Sequence, residues 1–221
     1  MRFTHLAFDI DGTLFSSENI ILDTYRESVE EFKAKSGHSM AVPTQEEIMR
    51  EIGKPVKTIF KNLLPNLDPG SRDSISDRVL SLLVEKIEAG KGHFYPGSKE
   101  TIIDLSKAGI QMLACSNGRL PYIEVILKVL GVLELFHPIC TLDNEIRKEK
   151  GDILLHYAQS LSLDPKSILM IGDRLSDWEA AKKAGSPFAF CKYGHAEKDE
   201  IPSSDFELNE VSDLKKIVLP D

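Results

Sequence analysis

Short apolar segments that end in polar side chains constrain the fold of this chain more than any other feature. The clearest are HLAFD at 5–9, QMLACS at 111–116 and SILMIGD at 167–173, and weaker copies lie at 186–191 and 137–143. Short apolar runs that are bounded by turn residues are typical of buried strands. We therefore predict a strand in each segment, with polar residues directly after its last apolar position.

Helical patterns separate these strands. They cover 97–109, 118–131, 150–161 and 176–185. Strands that alternate with helices predict an α/β fold with a parallel sheet and helices on both of its faces. The polar strand ends then meet at one edge of the sheet, where such folds bind ligands.

Residues 16–93 interrupt the alternation. Their apolar residues recur at helical spacing, as in Leu22, Tyr25, Val29 and Phe32, and no convincing strand is present. The segment is long for a crossover between parallel strands, which usually takes far fewer residues. We predict a small all-helical cap domain at 16–93, inserted into an α/β core domain formed by 1–15 and 94–221.

Composition excludes some classes of protein. The 221 residues carry a net charge of −8 and have a pI of about 5.3, whereas nucleic-acid binders normally show a basic surface. No apolar run approaches the roughly 18 residues of a membrane span, and the N-terminus does not resemble a signal peptide. The three cysteines form no CxxC motif. We predict a cytoplasmic protein that binds neither nucleic acid nor membrane.

Four carboxylates are expected at the ligand-binding edge. Asp9 and Asp11 lie at the end of the first strand, Asp173 ends the segment at 167–173, and Asp177 lies four residues further on. Like charges so close together repel one another, and a divalent cation removes this repulsion. Because Mg²⁺ prefers a few oxygen ligands and keeps waters that a phosphate can replace, we predict a Mg²⁺ site. The six histidines form no metal-binding motif and are interpreted as surface or core residues.

Further polar residues at this edge indicate phosphoryl chemistry. Ser116 and Asn117 can hold anionic oxygens, and either Lys148 or Lys150 can supply positive charge. A carboxylate beside Mg²⁺ can act as a nucleophile, which suits Asp9. Asp11 could then protonate the leaving alcohol and later activate water.

Four motifs resemble the signatures of the haloacid dehalogenase superfamily of phosphotransferases. They are DxDGT from Asp9, a strand ending in Ser116-Asn117-Gly118, Lys148 ahead of a helix, and GDxxxD from Asp173 to Asp177. The resemblance implies a Rossmann-like core in which Asp9 is the nucleophile and Asp11 the general acid and base. It also implies that Asp9, the backbone carbonyl of Asp11 and Asp173 hold Mg²⁺, while Asp177 orients a water or the lysine.

The resemblance assigns phosphate contacts and substrate contacts as well. It places the phosphoryl group against Thr13, Ser116, Asn117, Gly118 and Lys148. Lys148 is preferred to Lys150 because Lys148-x-x-x-Asp152-Ile153 matches the family's spacing. The insert is similar to the cap of the phosphoglycolate phosphatase-like subgroup, in which Gly53 and Lys54 would contact the substrate. Arg119 departs from the family pattern; it is interpreted as a solvated arginine at a helix start, with a contact to the substrate as the alternative.

The predicted activity is Mg²⁺-dependent hydrolysis of a small phosphomonoester, phosphoglycolate-like or a sugar phosphate. Dehalogenation is disfavoured, because the dehalogenase branch lacks the second aspartate that Asp11 supplies here. A phosphomutase similar to β-phosphoglucomutase and a non-enzymatic phosphate-binding homologue remain alternatives. The sequence leaves open whether the protein is a monomer or a homodimer.

Overall fold

The computed structural model describes residues 3–143 and 145–219. The strands, in chain order, are β1 (His5–Phe8), β2 (Phe15–Ser16), β3 (His93–Phe94), β4 (Gln111–Ala114), β5 (Ile168–Gly172), β6 (Phe188–Cys191) and β7 (Phe206–Leu208). The helices are α1 (Glu18–Ser36), α2 (Gln45–Glu51), α3 (Val56–Leu63), α4 (Pro69–Glu88), α5 (Ser98–Lys107), α6 (Leu120–Leu130), α7 (Lys150–Ser160), α8 (Leu175–Ala184) and α9 (Leu214–Val218). None of the helices in these two ranges is both long enough and apolar enough to cross a membrane.

Five strands form a sheet in the order β4-β1-β5-β6-β7, and every neighbouring pair is parallel. Phe8, the last residue of β1, lies opposite Ala114 of β4 and Ile171 of β5. The carboxyl ends of these three strands are therefore level, as the polar strand ends predict. This arrangement confirms the predicted α/β class.

The two faces of the sheet pack against different helices, because successive strand residues point to opposite sides. Leu6 and Phe8 pack in one apolar cluster with residues of α5 and α6. Ala7, between them, packs in a second cluster with residues of α7 and α8. Burial of both faces explains why these strands are continuous apolar runs.

Two details of the sheet differ from the sequence interpretation. Residues 137–143 were expected to form a strand, but they form none. An isolated bridge to Met112 is made by Phe136, just before this segment. The edge strand β7 was not predicted, because three residues are too few to show a periodic pattern.

The helices α1 to α4 form the insert between β2 and β3, and these two strands pair antiparallel. The chain therefore leaves the core and returns to it at one place. Local signals explain the helix ends: Thr44 forms a capping box with Glu47, and Asp68 caps the helix that begins at Pro69. The helical content matches the sequence interpretation, while the boundary at 16–93 stays a prediction.

Candidate active site

Three buried carboxylates meet at the carboxyl edge of the sheet. Asp9 follows β1, Asp173 follows β5, and Asp177 lies in the first turn of α8. One oxygen from each lies within 4.8 Å of the others, and the residues are at most 3% exposed. Asp177 Oδ2 also accepts hydrogen bonds from the backbone N–H groups of Asp173 and Arg174, at 3.0 and 2.9 Å. The GDxxxD spacing thus folds the second aspartate back onto the first.

Lys150 is the cation of this cluster. Its Nζ lies 3.0 Å from Asp9 Oδ2 and 2.5 Å from Asp177 Oδ1, and the side chain is 1% exposed. Although burial works against the charged ammonium, the carboxylates of Asp177 and Asp9 raise the pKa of Lys150. The Lys150 side chain is therefore held charged between the carboxylates of Asp9 and Asp177.

The preference for Lys148 over Lys150 was wrong, because Lys150 is the lysine that contacts the carboxylate cluster. The Lys148 side chain is exposed, and its backbone N–H donates to Asp152 Oδ2 at 2.9 Å. Asp152 also accepts from the N–H of Glu149, so its carboxylate caps the start of α7. The spacing from Lys148 to Asp152 reflects helix capping, and the first residue of the helix, Lys150, points into the site.

The charges around the cluster fit a divalent cation. Burial, together with the carboxylates of Asp177 and Asp9, raises the pKa of Asp173 well above its usual range. Burial also raises the pKa of Asp177 to about 6, although Lys150 opposes the shift. If all three carboxyls are ionised, one ammonium leaves a net charge of −2. An all-oxygen donor set with this charge would suit a hard divalent cation, which Asp9, Asp173 and Asp177 could hold.

Close backbone approaches shape this cluster. A Cβ on Gly12, which has φ of +91°, would lie 2.2 Å from Asp173 Oδ2, and a Cβ on Gly172 would lie 2.2 Å from Asp177 Cγ. Only glycine fits at either position. Asp173 also accepts hydrogen bonds from the Thr13 hydroxyl at 3.3 Å and from the His195 backbone N–H at 2.7 Å. The contact of Thr13 with phosphoryl oxygens stays a prediction.

His195 is a residue that the sequence interpretation missed. Its ring Nε2 lies 3.0 Å from Ser16 Oγ, and its backbone N–H donates to Asp173 Oδ2 at 2.7 Å. The available signal was topological: His195 follows β6, whose carboxyl end lies at the same edge of the sheet.

Asp11 has a different environment from Asp9. Its Oδ1 accepts from the Ser17 backbone N–H at 3.0 Å. Its Oδ2 accepts from the Ser17 hydroxyl at 2.6 Å and the Tyr122 hydroxyl at 2.8 Å. Neutral donors therefore hold this carboxyl apart from the three-carboxylate cluster. Tyr122 was not predicted, because a tyrosine on an apolar helix face carries no motif.

A cavity of about 90 Å³ begins at Asp9 and Asp11 and extends under the insert. Ser116, Asn117 and Gly118 line it from the core, and Ser116 Oγ accepts from the Gly118 N–H. The structure therefore brings the predicted phosphate loop to the two aspartates.

The predicted cap residues also line the cavity, but they have partners. The Gly53 carbonyl accepts from Asn117 Nδ2 at 2.8 Å and from the Ser176 hydroxyl at 3.1 Å. Lys54 Nζ lies 2.8 Å from Glu51 Oε1. Gly53 thus joins the insert to the core, while Lys54 pairs with a carboxylate of the insert itself.

Two arginines bridge the core and the insert. Arg119, at the start of α6, bonds to Asp77 and donates to the Ser76 carbonyl of α4, so its interpretation as a solvated arginine was wrong. Arg174 donates to the carbonyls of Met49 and Arg50 at the end of α2. Neither bridge is visible in sequence, because each joins residues that are distant in the chain.

This geometry defines a class: an α/β enzyme with a carboxylate cluster and two aspartates beside a small, partly open cavity. A family model for haloacid dehalogenase-like hydrolases matches residues 3–185, and the chain belongs to that family.

Several relatives in this family act on phosphate esters. A phosphoglycolate phosphatase of Nitrosococcus oceani is 22% identical over 96% of this chain and 95% of its own length. An N-acetylmuramic acid 6-phosphate phosphatase of Pseudomonas aeruginosa is 26% identical over 92% of this chain and 88% of its own length. The crystal structure of a predicted phosphoglycolate phosphatase from Haemophilus somnus superposes on this chain with a TM-score of 0.85. The two sequences are 20% identical, and the superposition covers 98% of both chains. The chain is a phosphoric monoester hydrolase of the phosphoglycolate phosphatase-like kind.

Proposed function

We propose that the protein is a Mg²⁺-dependent phosphatase that hydrolyses a small phosphomonoester through an aspartyl-phosphate on Asp9. The observation that carries the proposal is the buried cluster of three carboxylates and one ammonium beside a small cavity. With all three carboxyls ionised the cluster has a net charge of −2, which a divalent cation would balance, and the small cavity favours a small molecule over a folded phosphoprotein. Mg²⁺ would supply a Lewis acid that neutralises phosphoryl charge.

The different surroundings of the two aspartates support their different roles. Asp9 lies between Lys150 and the other carboxylates, where its oxygen can attack phosphorus. The ester P–O bond breaks as the aspartyl O–P bond forms, and the leaving alkoxide takes a proton from Asp11. Water then attacks phosphorus and gives a proton to Asp11, the aspartyl O–P bond breaks, and inorganic phosphate leaves. Ser17 and Tyr122 hold the Asp11 carboxyl in position for both proton transfers.

The test is hydrolysis of p-nitrophenyl phosphate with Mg²⁺ and with EDTA. Chelation should abolish turnover, and added Mg²⁺ should restore it. Asp9→Asn should abolish turnover without forming a phosphoenzyme. Asp11→Asn should still become phosphorylated, because p-nitrophenol leaves readily, but should hydrolyse the intermediate slowly. Wild-type turnover by a folded Asp9→Asn variant would contradict the proposal.

We also propose a cytoplasmic location. In support, Cys115, Cys140 and Cys191 are free thiols, two of them buried. The oligomeric state, monomer or homodimer, stays open.

A further inference from the structure

We propose that the substrate is the phosphate ester of an uncharged and largely apolar alcohol, and that the cavity selects against a second anionic group. This inference rests on the proposed function, because it concerns the leaving group of the same reaction. It departs from the expectation that Lys54 would bind an anionic part of the substrate.

The wall of the cavity beyond the two aspartates is mainly apolar. Side chains from α1, α3 and α4 form it, chiefly Ile21, Ile59, Phe60, Val79, Leu80 and Leu83. The polar members contributed by these helices, Tyr25 and Ser76, are neutral. The Tyr25 ring stacks on Phe60 with centroids 5.5 Å apart, which presents further apolar surface. A leaving group here exchanges water for hydrocarbon and aromatic contacts, so an apolar body is favoured.

The cations that line this cavity are already paired. Lys54 bonds to Glu51, whose carboxylate is only 14% exposed and also accepts from Asn62 Nδ2 at 2.7 Å. Arg119 bonds to Asp77 and to the Ser76 carbonyl. A carboxylate on the leaving group would compete with Glu51 for Lys54, whose side chain is 43% exposed while that of Glu51 is 14% exposed. The partly exposed pair therefore offers an incoming anion less than a free ammonium would.

The wall is held in place by contacts with the core. The Gly53 carbonyl accepts from Asn117 and Ser176, and Arg119 ties α4 to the start of α6. The apolar helices therefore lie over the aspartates in the geometry that a bound substrate would meet. Selection follows from this arrangement, since the apolar helices over the aspartates reduce the water that would otherwise solvate an anion.

The experiment compares isobutyl phosphate with phosphoglycolate, because their leaving groups contain the same number of non-hydrogen atoms and differ in charge. p-Nitrophenyl phosphate with Mg²⁺ reports the basal reaction. The wild type should show a kcat/KM for isobutyl phosphate at least about tenfold above that for phosphoglycolate, since an unpaired buried carboxylate is costly.

A matched pair of variants tests the role of Glu51. Glu51→Gln frees Lys54 and should shift the kcat/KM ratio toward phosphoglycolate by about tenfold, as expected for a newly available partly buried charge partner. Glu46→Gln removes an exposed carboxylate of the same helix, which pairs with Arg50, and should leave the ratio within about twofold. Leu80→Lys places a cation directly in the wall and should shift the ratio in the same direction as Glu51→Gln. It serves as a second test should Glu51→Gln fail to fold.

The outcomes separate this inference from the proposed function. If the wild type hydrolyses p-nitrophenyl phosphate and prefers phosphoglycolate to isobutyl phosphate, the inference is wrong and the proposed function stands. An unchanged ratio in both Glu51→Gln and Leu80→Lys, when both are folded and active, would also overturn it. If the folded wild type with Mg²⁺ hydrolyses none of the three esters, the proposed function fails and the inference fails with it.

Discussion

Replacing Lys150 by methionine removes the ammonium that contacts Asp9 and Asp177 while keeping a side chain of similar length. The side chain is 1% exposed, so the two carboxylates would be left buried without a cation. Removing one partner of a buried ion pair costs about 3–5 kcal/mol. With a urea slope of about 3 kcal/mol per molar, a loss of about 4 kcal/mol lowers the unfolding midpoint by about 1.3 M.

The matched control is Lys148→Met, which changes the exposed lysine that the motif spacing favoured. It should change the free energy of unfolding by less than about 0.5 kcal/mol, as is usual for surface substitutions. Urea unfolding at pH 8 in EDTA measures both variants. The kcat/KM for p-nitrophenyl phosphate should fall by about a hundredfold or more in Lys150→Met, by analogy with the removal of one charge-stabilising donor, and remain near wild type in Lys148→Met.

The stability loss of Lys150→Met should depend on metal and on pH. Saturating Mg²⁺ should recover part of it, because a divalent cation compensates the same carboxylates. The stability loss should also be smaller at pH 5 than at pH 8. Burial raises the pKa of Asp177 to about 6, so protons neutralise the cluster at the lower pH. The assignment of Lys150 as the cation of the site would be refuted if Lys150→Met changed neither stability nor activity. It would also be refuted if Lys148→Met lost as much activity as Lys150→Met.

Three further predictions concern the same site. Mg²⁺ affinity should be weaker at pH 5 than at pH 7, by up to about tenfold per pH unit for each proton that competes, because burial raises the pKa of both Asp173 and Asp177, and calorimetry at the two pH values measures this; equal affinity at both values would contradict it. Tyr122→Phe removes a hydrogen bond to Asp11 and should lower kcat by about tenfold without changing Mg²⁺ affinity; an unchanged kcat would exclude this positioning role. Arg119→Ala loosens the insert and should raise KM by about threefold with a smaller effect on kcat, since the guanidinium is partly exposed; a change in kcat alone would argue against it.

Much of the core could be predicted because its signals are local. The runs that became β1, β4 and β5 are apolar and bounded by turn residues, and α6 and α8 end on Gly131 and Gly185 in the left-handed conformation. β7 and the irregular stretch at 137–143 could not be predicted. The three-residue strand β7 forms because β6 offers it a partner, whereas the run at 137–143 stays irregular although Phe136, just before it, bridges to Met112 of the edge strand β4.

The choice between the two lysines shows where sequence spacing stops being informative. Lys148 and Lys150 are two residues apart, and both precede or begin α7. Which of them points inward depends on where the helix starts, and Asp152 fixes that start by capping the N–H groups of Lys148 and Glu149. A spacing motif records the lysine and the aspartate but not the rotation of the helix that carries them.

The sequence by itself determined which carboxylates lie at the sheet edge. Asp9 and Asp173 follow strands whose carboxyl ends point to one edge of a parallel sheet, and Asp177 follows four residues after Asp173, so the convergence of these three was predictable. Asp11 was expected to join them, but Ser17 and Tyr122 hold its carboxyl apart. Only the tertiary structure decided the partners of these carboxylates and the character of the cavity. Lys150, Tyr122 and the pairing of Lys54 with Glu51 depend on how helices dock, and docking is set by the packing of many distant side chains. Such contacts leave no periodic or local pattern in the chain.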